Sequence, residues 1–115
     1  MKKTTIKELA NELNITILME KNGQLKKHLI GKNILMATFR YIGVFLENQL
    51  HNHPHNEFIE KGYFTVEVVS KNNRNGYKAF LTALGMEWVK SLKDRIIQSE
   101  IEYLLERNYN VLGNI

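Results

Sequence analysis

The sequence predicts a small α+β domain, and three observations support this fold class. A strand, an Asn-Gly turn and a return strand lie between Tyr63 and Leu81, which is the typical pattern of a β-hairpin. Amphipathic helical segments are indicated near the N-terminus and over the C-terminal third. The hairpin is basic, because no acidic residue lies between Val68 and Met86. Together these features predict a winged helix-turn-helix with a basic β-hairpin wing and a long C-terminal helix.

Length and composition limit the class of protein. The 115 residues suffice for one domain with a modest core. Without cysteine there is no disulfide framework, thiolate metal site or cysteine nucleophile. No apolar run reaches the roughly 18–20 residues that a membrane span needs. The N-terminus becomes amphipathic after two lysines, so it does not read as a signal peptide. We therefore expect a cytoplasmic protein with no membrane partner.

The net charge of +4 is unevenly distributed along the chain. Residues 1–32 carry +4, residues 33–70 carry −2 and residues 71–115 carry +2. An excess of positive charge at the N-terminal segment and at the hairpin is compatible with a surface that contacts phosphates. A globular protein with scattered lysines has the same net charge, so that alternative stays open.

A helix-turn-helix is predicted for the first 32 residues. Thr4 or Thr5 is expected to cap the first helix, with Glu8 three residues beyond Thr5 as in a capping box. Asn14 tolerates the left-handed conformation that ends a helix. After a polar break, a second helix is predicted over residues 24–32, with its leucines pointing inward. We expect this helix to contact DNA through its exposed side chains. These side chains are Gln24, Lys26, Lys27, His28 and Lys32. The alternative is the solvated face of a core helix.

The middle of the chain is less informative. Residues 34–49 are apolar, and Gly43 with the β-branched residues favours extended structure, with a helix as the alternative. Pro54 predicts a loop over residues 51–57, followed by a short helical turn that ends at Gly62. That loop contains His51, His53 and His55. No metal site is predicted there, because the proline disturbs their alternation and a closed zinc site needs a fourth ligand.

The wing and the final helix complete the predicted domain. The wing consists of strands over residues 63–70 and 77–81, joined by a turn over residues 71–76 that closes on Asn75-Gly76. Its basic side chains, which are expected to clamp phosphates, are Lys71, Arg74 and Lys78. Thr82 is expected to cap one long helix that runs from Ala83 to about Asn108.

The apolar stripe of the final helix extends further than a small winged core can cover. It predicts an exposed ridge through which the protein forms a homodimer. The ridge consists of Ile97, Ile101, Leu104 and Leu105. The alternative is that this helix packs back on the middle section. On this basis residues 1–96 form the winged-helix domain, and residues 97–115 form a C-terminal helical extension.

Several short motifs occur in the order and spacing of a known family. They are Thr5-Ile6 with Glu8-Leu9-Ala10 and Leu13, then Leu25 and Leu29, Asn52-His53-Pro54, Gly62-Tyr63-Phe64, and Leu81 to Gly85. Residues 4–95 thereby resemble the phage antirepressor C-terminal domain, often called KilAC. The chain departs from that family at Lys21-Asn22-Gly23-Gln24, where arginines are usual, and at Leu84, where a lysine is usual. The resemblance implies a phage or prophage regulator that acts on DNA or on a repressor inside a bacterial host cell.

Two functions follow as expectations. The first is a transcriptional regulator or antirepressor that binds double-stranded DNA with the second helix and the wing. The alternative is an inhibitor that sequesters a repressor or a host protein without binding DNA, using the acidic middle section and the C-terminal ridge. An enzyme is not expected, because the sequence contains no paired-carboxylate constellation, phosphate-binding glycine loop or Ser/His/Asp pattern. No cofactor is expected either.

Overall fold

The computed structural model describes residues 3–48, 52–71 and 74–115, with only the backbone at residues 71, 74 and 75. The described chain forms an α+β domain, as predicted, but the predicted winged helix-turn-helix is not confirmed. In chain order the elements are α1 (Ile6–Leu13), β1 (Thr16–Lys21), β2 (Gln24–Leu29), α2 (Lys32–Tyr41), α3 (Asn56–Glu60), β3 (Phe64–Lys71), β4 (Arg74–Leu81), α4 (Ala83–Ser91), α5 (Lys93–Glu106) and β5 (Asn110–Asn114). The strands form an antiparallel sheet in the order β2-β1-β5 and a separate β3–β4 hairpin. Among the described helices, none is long and apolar enough to cross a membrane.

Helix α1 forms as its sequence predicts. The Thr5 hydroxyl accepts a hydrogen bond from the Glu8 backbone N–H at 3.1 Å, and the Glu8 carboxylate accepts one from the Thr5 N–H at 3.0 Å. This capping box satisfies two of the backbone donors that a helix start leaves free. The helix ends at Asn14, whose φ is 47°. Its buried face is formed by Ile6, Leu9, Ala10 and Leu13.

The predicted second helix over residues 24–32 is wrong, because Gln24–Leu29 is strand β2. Asn22 and Gly23 have φ values of 54° and 79°, so they form a two-residue turn of the kind that joins the strands of a hairpin. Leu25 and Leu29 are 64% and 56% exposed rather than inward-facing. The reason is that β2 is an edge strand hydrogen-bonded only to β1, and β1 supplies the buried side chains of this pair. The segment therefore contains no helix-turn-helix.

Helix α2 occupies the segment that was expected to be extended, so the helical alternative is correct. Leu35 and Phe39 lie four residues apart and are fully buried, which is the spacing of one helical face. Thr38 is also buried, and its hydroxyl donates to the Ile34 carbonyl oxygen at 2.9 Å. The helix ends just before Gly43, whose φ is 85°. Tertiary packing against α1 and α5 overrides the β preference of the branched residues here.

The β3–β4 hairpin is confirmed, but its predicted register is wrong. Lys71 lies opposite Arg74, so the two strands pair as far as these residues, and residues 72 and 73 lie outside the described residues. The sequence prediction placed the turn at Asn75-Gly76, and both of these residues lie within β4. Pairing in the observed register brings Phe64 opposite Leu81, and both of these side chains are buried.

The hairpin is held to the body at its base. Thr4 pairs with Leu81 through two backbone hydrogen bonds of 3.0 and 2.8 Å. The Thr82 hydroxyl donates to the Gly62 carbonyl oxygen at 2.6 Å and accepts from the Gly85 N–H at 3.0 Å, which caps α4 as predicted. A Cβ at Gly85 would lie 1.9 Å from the Tyr63 carbonyl oxygen. Only glycine therefore allows α4 to start this close to the hairpin.

The prediction of a single long C-terminal helix is wrong. The helical region is divided at Leu92 into α4 and α5, and the chain then ends in strand β5. Helix α4 packs beside β4, whereas α5 packs against α2 and β5. One straight helix would not bury both apolar stripes against these different partners. Strand β5 pairs with β1, with Val111 opposite Met19. Thus the last residues form an edge strand of the three-stranded sheet and not a helix.

The division of the chain at residue 96 stays a prediction. Ile96 and Ile97, which stand on either side of that boundary, are both buried in one continuous core. The core also contains a chain of edge-to-face aromatic contacts, with ring centroids 5.1 Å apart between Phe39 and Phe45 and 5.7 Å apart between Phe45 and Phe64. These contacts join α2 to the base of the second hairpin and thereby connect the two halves of the fold.

An acidic cleft and the predicted DNA-contacting residues

A cleft of 580 Å³ lies between α2 and α5, and β2 contributes His28 to its wall. Helix α2 supplies Ile34, Ala37 and Tyr41, among others, because positions three and four apart share one face of a helix. Helix α5 supplies Glu102 and Glu106, which are four positions apart and so also share one helical face. The cleft is thus formed by elements from both ends of the chain, and no local sequence motif marks it.

A buried ion pair forms part of the cleft. His28 Nε2 lies 3.3 Å from Glu100 Oε2, and Glu100 is only 5% exposed. Burial raises the pKa of the Glu100 carboxyl, because a charged form is costly away from water. The hydrogen bond and the charge of His28 oppose this rise. Among the described residues, His28 is the only hydrogen-bond or ion-pair partner of Glu100.

Negative charge dominates the cleft. Its acidic side chains are Glu47, Glu100, Glu102 and Glu106. Arg40 is the single lysine or arginine side chain among the lining residues, and its guanidinium donates a hydrogen bond to the Asn52 side-chain oxygen. Of the ion pairs formed within the described ranges, none includes the carboxylates at positions 47, 102 and 106. The cleft therefore carries unneutralised negative charge in a protein whose net charge is +4.

Two tyrosines line the cleft and also reach solvent. Tyr41 on α2 is 71% exposed, and Tyr103 on α5 is about half exposed. The guanidinium of Arg107 lies over the Tyr103 ring, 4.5 Å from its centroid. This is a cation–π contact of the type that aromatic rings make with arginine and lysine. The cleft thus combines carboxylates with accessible aromatic faces.

The residues predicted to contact DNA from a recognition helix lie instead on β2 and at the start of α2. Lys26 is opposite Met19 in the β1–β2 pair, whereas Lys27 is opposite Leu18, so the two lysines point to opposite faces of the sheet. Both are exposed. The remaining residues of that set are Gln24 and His28 on β2, and Lys32 at the first position of α2. They do not form one helical surface, and His28 is engaged with Glu100.

The predicted wing residues lie together on the second hairpin. Lys78 is exposed, lies opposite Glu67, and is 5.5 Å from the centroid of the Phe80 ring. Lys71 and Arg74 face each other across the end of the hairpin, although their side chains lie outside the described part of the chain. The structure therefore brings these three residues onto one hairpin, as the sequence predicts.

The predicted exposed ridge on the last helix is wrong. Ile97 and Leu104 are buried in the core of their own chain, and Ile101 is partly buried against it. Only Leu105 of this set is exposed. The alternative, in which the helix packs back on the middle section, is correct, since α5 contacts α2. A homodimer stays a prediction, but this ridge no longer supports it.

The histidine-rich loop has structural contacts of its own. His53 Nδ1 lies 2.8 Å from the Pro54 carbonyl oxygen, and its ring meets Tyr77 edge-to-face at 4.9 Å. Pro54 is buried and pairs with Phe45. His51 lies outside the described residues. Elsewhere in the described chain, no three histidine or carboxylate side chains come together to hold a metal ion.

Sequence reasoning missed the Glu100 site, although a signal for it exists. Glu100 is four residues after Ile96 and four before Leu104, so it interrupts the buried stripe of α5 with a carboxylate. A charged residue on a core face needs a partner and is a reason to look for one.

Comparison with protein-family models, with curated proteins and with solved structures gives no match to this chain.

Proposed function

We propose that the protein is a DNA-binding transcriptional regulator of phage or prophage type that holds DNA with its two β-hairpins. The separation of charge carries this proposal. The β1–β2 hairpin has Lys21, Lys26 and Lys27 against Glu20, so its formal charge is +2. The β3–β4 hairpin has Lys71, Arg74 and Lys78 against Glu67, which gives the same charge. Positive charge on exposed lysine and arginine side chains favours contact with phosphates.

The order of the elements supports a modified winged helix. Helices α1 and α2 pack together, and the β3–β4 hairpin follows them in the chain. Thr4, directly before α1, pairs with Leu81 at the base of that hairpin, so three chain segments meet there as in a winged helix. This arrangement also accords with the resemblance to the phage antirepressor domain. The difference is that a β-hairpin replaces the turn between the first two helices.

Helix α2 is not well placed to read bases. Its cleft-facing residues, such as Ala37 and Tyr41, face α5, which presents Glu102 and Glu106. These carboxylates would repel a phosphate backbone that approached α2 from this side. Two-stranded β-ribbons enter the major groove of DNA in other proteins. We therefore assign the DNA contacts to the hairpins.

The test is the binding of a labelled double-stranded DNA fragment across a salt series, measured by fluorescence anisotropy. The double variant Lys26→Ala/Lys27→Ala is compared with Lys61→Ala/Lys90→Ala, which loses the same charge but lies away from the hairpins and next to glutamates. We expect the hairpin variant to bind more weakly and to lower the slope of log K against log salt by about 0.9 for each of its two lysines that contacts a phosphate. The control should retain the original slope.

Two outcomes would contradict DNA binding through the hairpins. The first is the absence of binding at low salt by the unmodified protein. The second is an equal loss of affinity in the two double variants, because that result would reflect net charge alone. Thermal unfolding of each variant shows whether it remains folded.

The alternative function, an inhibitor that sequesters a repressor or a host protein, is favoured by a different observation. The cleft between α2 and α5 is concave and acidic, and Tyr41 on its wall is largely exposed. Aromatic side chains of this kind are enriched at protein interfaces. Both functions are compatible in one molecule, because the cleft and the basic hairpins have opposite charge.

A further inference from the structure

We infer that the cleft between α2 and α5 binds basic side chains on an extended segment of a partner protein. This inference goes beyond DNA binding and does not depend on it, because none of the glutamates that carry it lies on a hairpin. The ligand group is a guanidinium or an ammonium ion. Four properties of the cleft point to it, namely its charge, its buried carboxylate, its apolar wall and the spacing of its glutamates.

The charge of the cleft selects a cation. Its lining has four carboxylates against the single guanidinium of Arg40, a formal charge of −3 when His28 is neutral. Arg40 is already hydrogen-bonded to Asn52, and the carboxylates of Glu47, Glu102 and Glu106 have no ion pair within the described chain. Complementary potential steers a charged partner and fixes its orientation. A phosphate or another anion is disfavoured by the same charges.

Glu100 is a buried carboxylate with unused hydrogen-bonding capacity. It is 5% exposed, and within the described residues its hydrogen-bond and ion-pair partner is His28, through Oε2. Its side chain lines the cleft, so Oε1 can accept a hydrogen bond from a group that enters there. A carboxylate offers about four lone-pair sites. Among the described residues no fully buried side-chain oxygen lacks a hydrogen-bond partner, so the unused sites of Glu100 are accessible from the cleft. An entering guanidinium or ammonium group supplies both donors and opposite charge.

The cleft also suits the body of a basic side chain. Ile34 and Ala37 line the α2 side and offer apolar surface to the methylene stem of arginine or lysine. Tyr103 lies on the other side, where Arg107 already stacks on its ring. That contact shows that this ring accepts a guanidinium. The volume of 580 Å³ lies within the roughly 300–1,000 Å³ of specific ligand sites.

The spacing of the acidic residues favours a protein segment over a free small cation. Glu102 and Glu106 are one helical turn apart on α5, which corresponds to about 6 Å along the axis. Alternate side chains of an extended peptide are separated by about 6.6 Å and point to the same side. Two basic residues at positions i and i+2 of an extended segment therefore match these two glutamates, while the deeper Glu100 is available to one of them.

The experiment uses a fluorescein-labelled heptapeptide, Ala-Ala-Arg-Ala-Arg-Ala-Ala, and measures its binding to the full chain by anisotropy at low salt. Glu102→Gln/Glu106→Gln is compared with Glu57→Gln/Glu60→Gln, which loses the same charge from α3. We expect saturable binding that falls by about tenfold or more in the α5 variant and by less than about twofold in the α3 control. The same peptide with citrulline in place of arginine, which is neutral but similar in shape, should not bind.

Each contrary result overturns a defined part of the inference. Equal losses in the two double variants, or equal binding of the citrulline peptide, would show that the cleft does not recognise the cationic groups. Spermidine tests the source of the cation, and competition by spermidine at concentrations equal to those of unlabelled peptide would assign the site to a free polyamine. The α5 variant should bind DNA at least as well as the unmodified protein, which separates this test from that of the proposed function.

Discussion

The two β-hairpins of this protein each contain an Asn-Gly pair, but they differ in where that pair lies and in how they relate to the core. Each is antiparallel and basic. In β1–β2 the pair Asn22-Gly23 forms the turn, with both residues in the left-handed region. In β3–β4 the pair Asn75-Gly76 lies within strand β4, where Asn75 is opposite Ser70 and Gly76 is opposite Val69. An Asn-Gly pair therefore indicates a hairpin but does not by itself set its register.

Burial explains which register forms. If Asn75-Gly76 formed the turn, Leu81 would lie opposite Ser70 instead of Phe64. The observed register places Phe64 and Leu81 together at the base of the hairpin, where both are fully buried. The free energy gained by burying two large apolar side chains exceeds the preference of one dipeptide for a turn.

The two hairpins also differ in how far they are covered. Strand β1 is central in its sheet and buries Ile17 and Met19. The β3–β4 hairpin buries its base, whereas Val68 further along β3 is 78% exposed. The first hairpin is thus part of the core, and the outer part of the second projects from it. This contrast predicts different responses to mutation.

The largest expected difference is between Ile17→Ala and Val68→Ala. Ile17 is fully buried, so its truncation should lower the free energy of unfolding by about 3 kcal/mol, the sum of lost burial and a residual cavity. Val68→Ala should change it by less than about 0.5 kcal/mol, because surface substitutions have small effects. Urea unfolding of both variants measures the difference. Comparable losses would show that the outer part of the second hairpin is covered.

A smaller difference is expected between Gly23→Ala and Gly76→Ala. Gly23 has a φ of 79° and no atom near its added Cβ, so the cost of alanine there is conformational and about 1 kcal/mol. Gly76 does not have a positive φ, and the nearest atom to its added Cβ is a Val69 methyl at 3.8 Å, so alanine should be nearly neutral. Urea unfolding distinguishes the two. A penalty at position 76 equal to that at position 23 would place the turn at Asn75-Gly76 after all.

The smallest expected effect on the free energy of unfolding concerns the His28–Glu100 pair, which links β2 to α5. The pKa of Glu100 is raised by burial, so folding favours its neutral form. Its contribution to stability is full below the unfolded pKa and is lost as pH rises through the folded pKa. Glu100→Gln removes this titration, so the stability of the unmodified protein relative to the variant should decline from pH 4 towards neutral pH. Glu102→Gln, at an exposed position of the same helix, is the reference.

Urea unfolding at several pH values checks the Glu100 prediction. A stability difference between the unmodified protein and Glu100→Gln that rises with pH would mean that His28 stabilises the carboxylate more than burial opposes it. In that case the ion pair anchors the first hairpin in its charged form. The second hairpin has no buried ion pair of this kind among the described residues, so its stability should not share this pH dependence.

Local signals in the sequence predict the caps and the second hairpin well. The capping box at Thr5, the left-handed Asn14 and the Thr82 cap all form as predicted, because each depends on hydrogen bonds within a few residues. The same local rule applied at Asn22-Gly23 would have predicted the first hairpin. The four-residue spacing of Leu25 and Leu29 instead predicts a helix there. In the structure both leucines lie on the edge strand β2.

The candidate cleft was not predictable in the same way. It combines His28 from β2, Tyr41 from α2 and Glu100 from α5, which are far apart in the sequence. These three side chains come close together because the helical region breaks at Leu92, so that α5 packs against α2. No glycine or proline marks this break in the sequence. Packing of apolar stripes against different partners sets that break, and such packing is a property of the whole fold.

The sequence by itself determined the α+β class, the starts of α1 and α4, and the charge of the two hairpins, because these follow from local hydrogen bonding and composition. Only the tertiary structure decided that residues 32–41 form a helix, that the last helix breaks at Leu92, and that the C-terminus joins a sheet. The physical reason is that short segments have small intrinsic preferences, whereas burial of side chains such as Ile17, Phe39 and Leu104 contributes more free energy than those preferences.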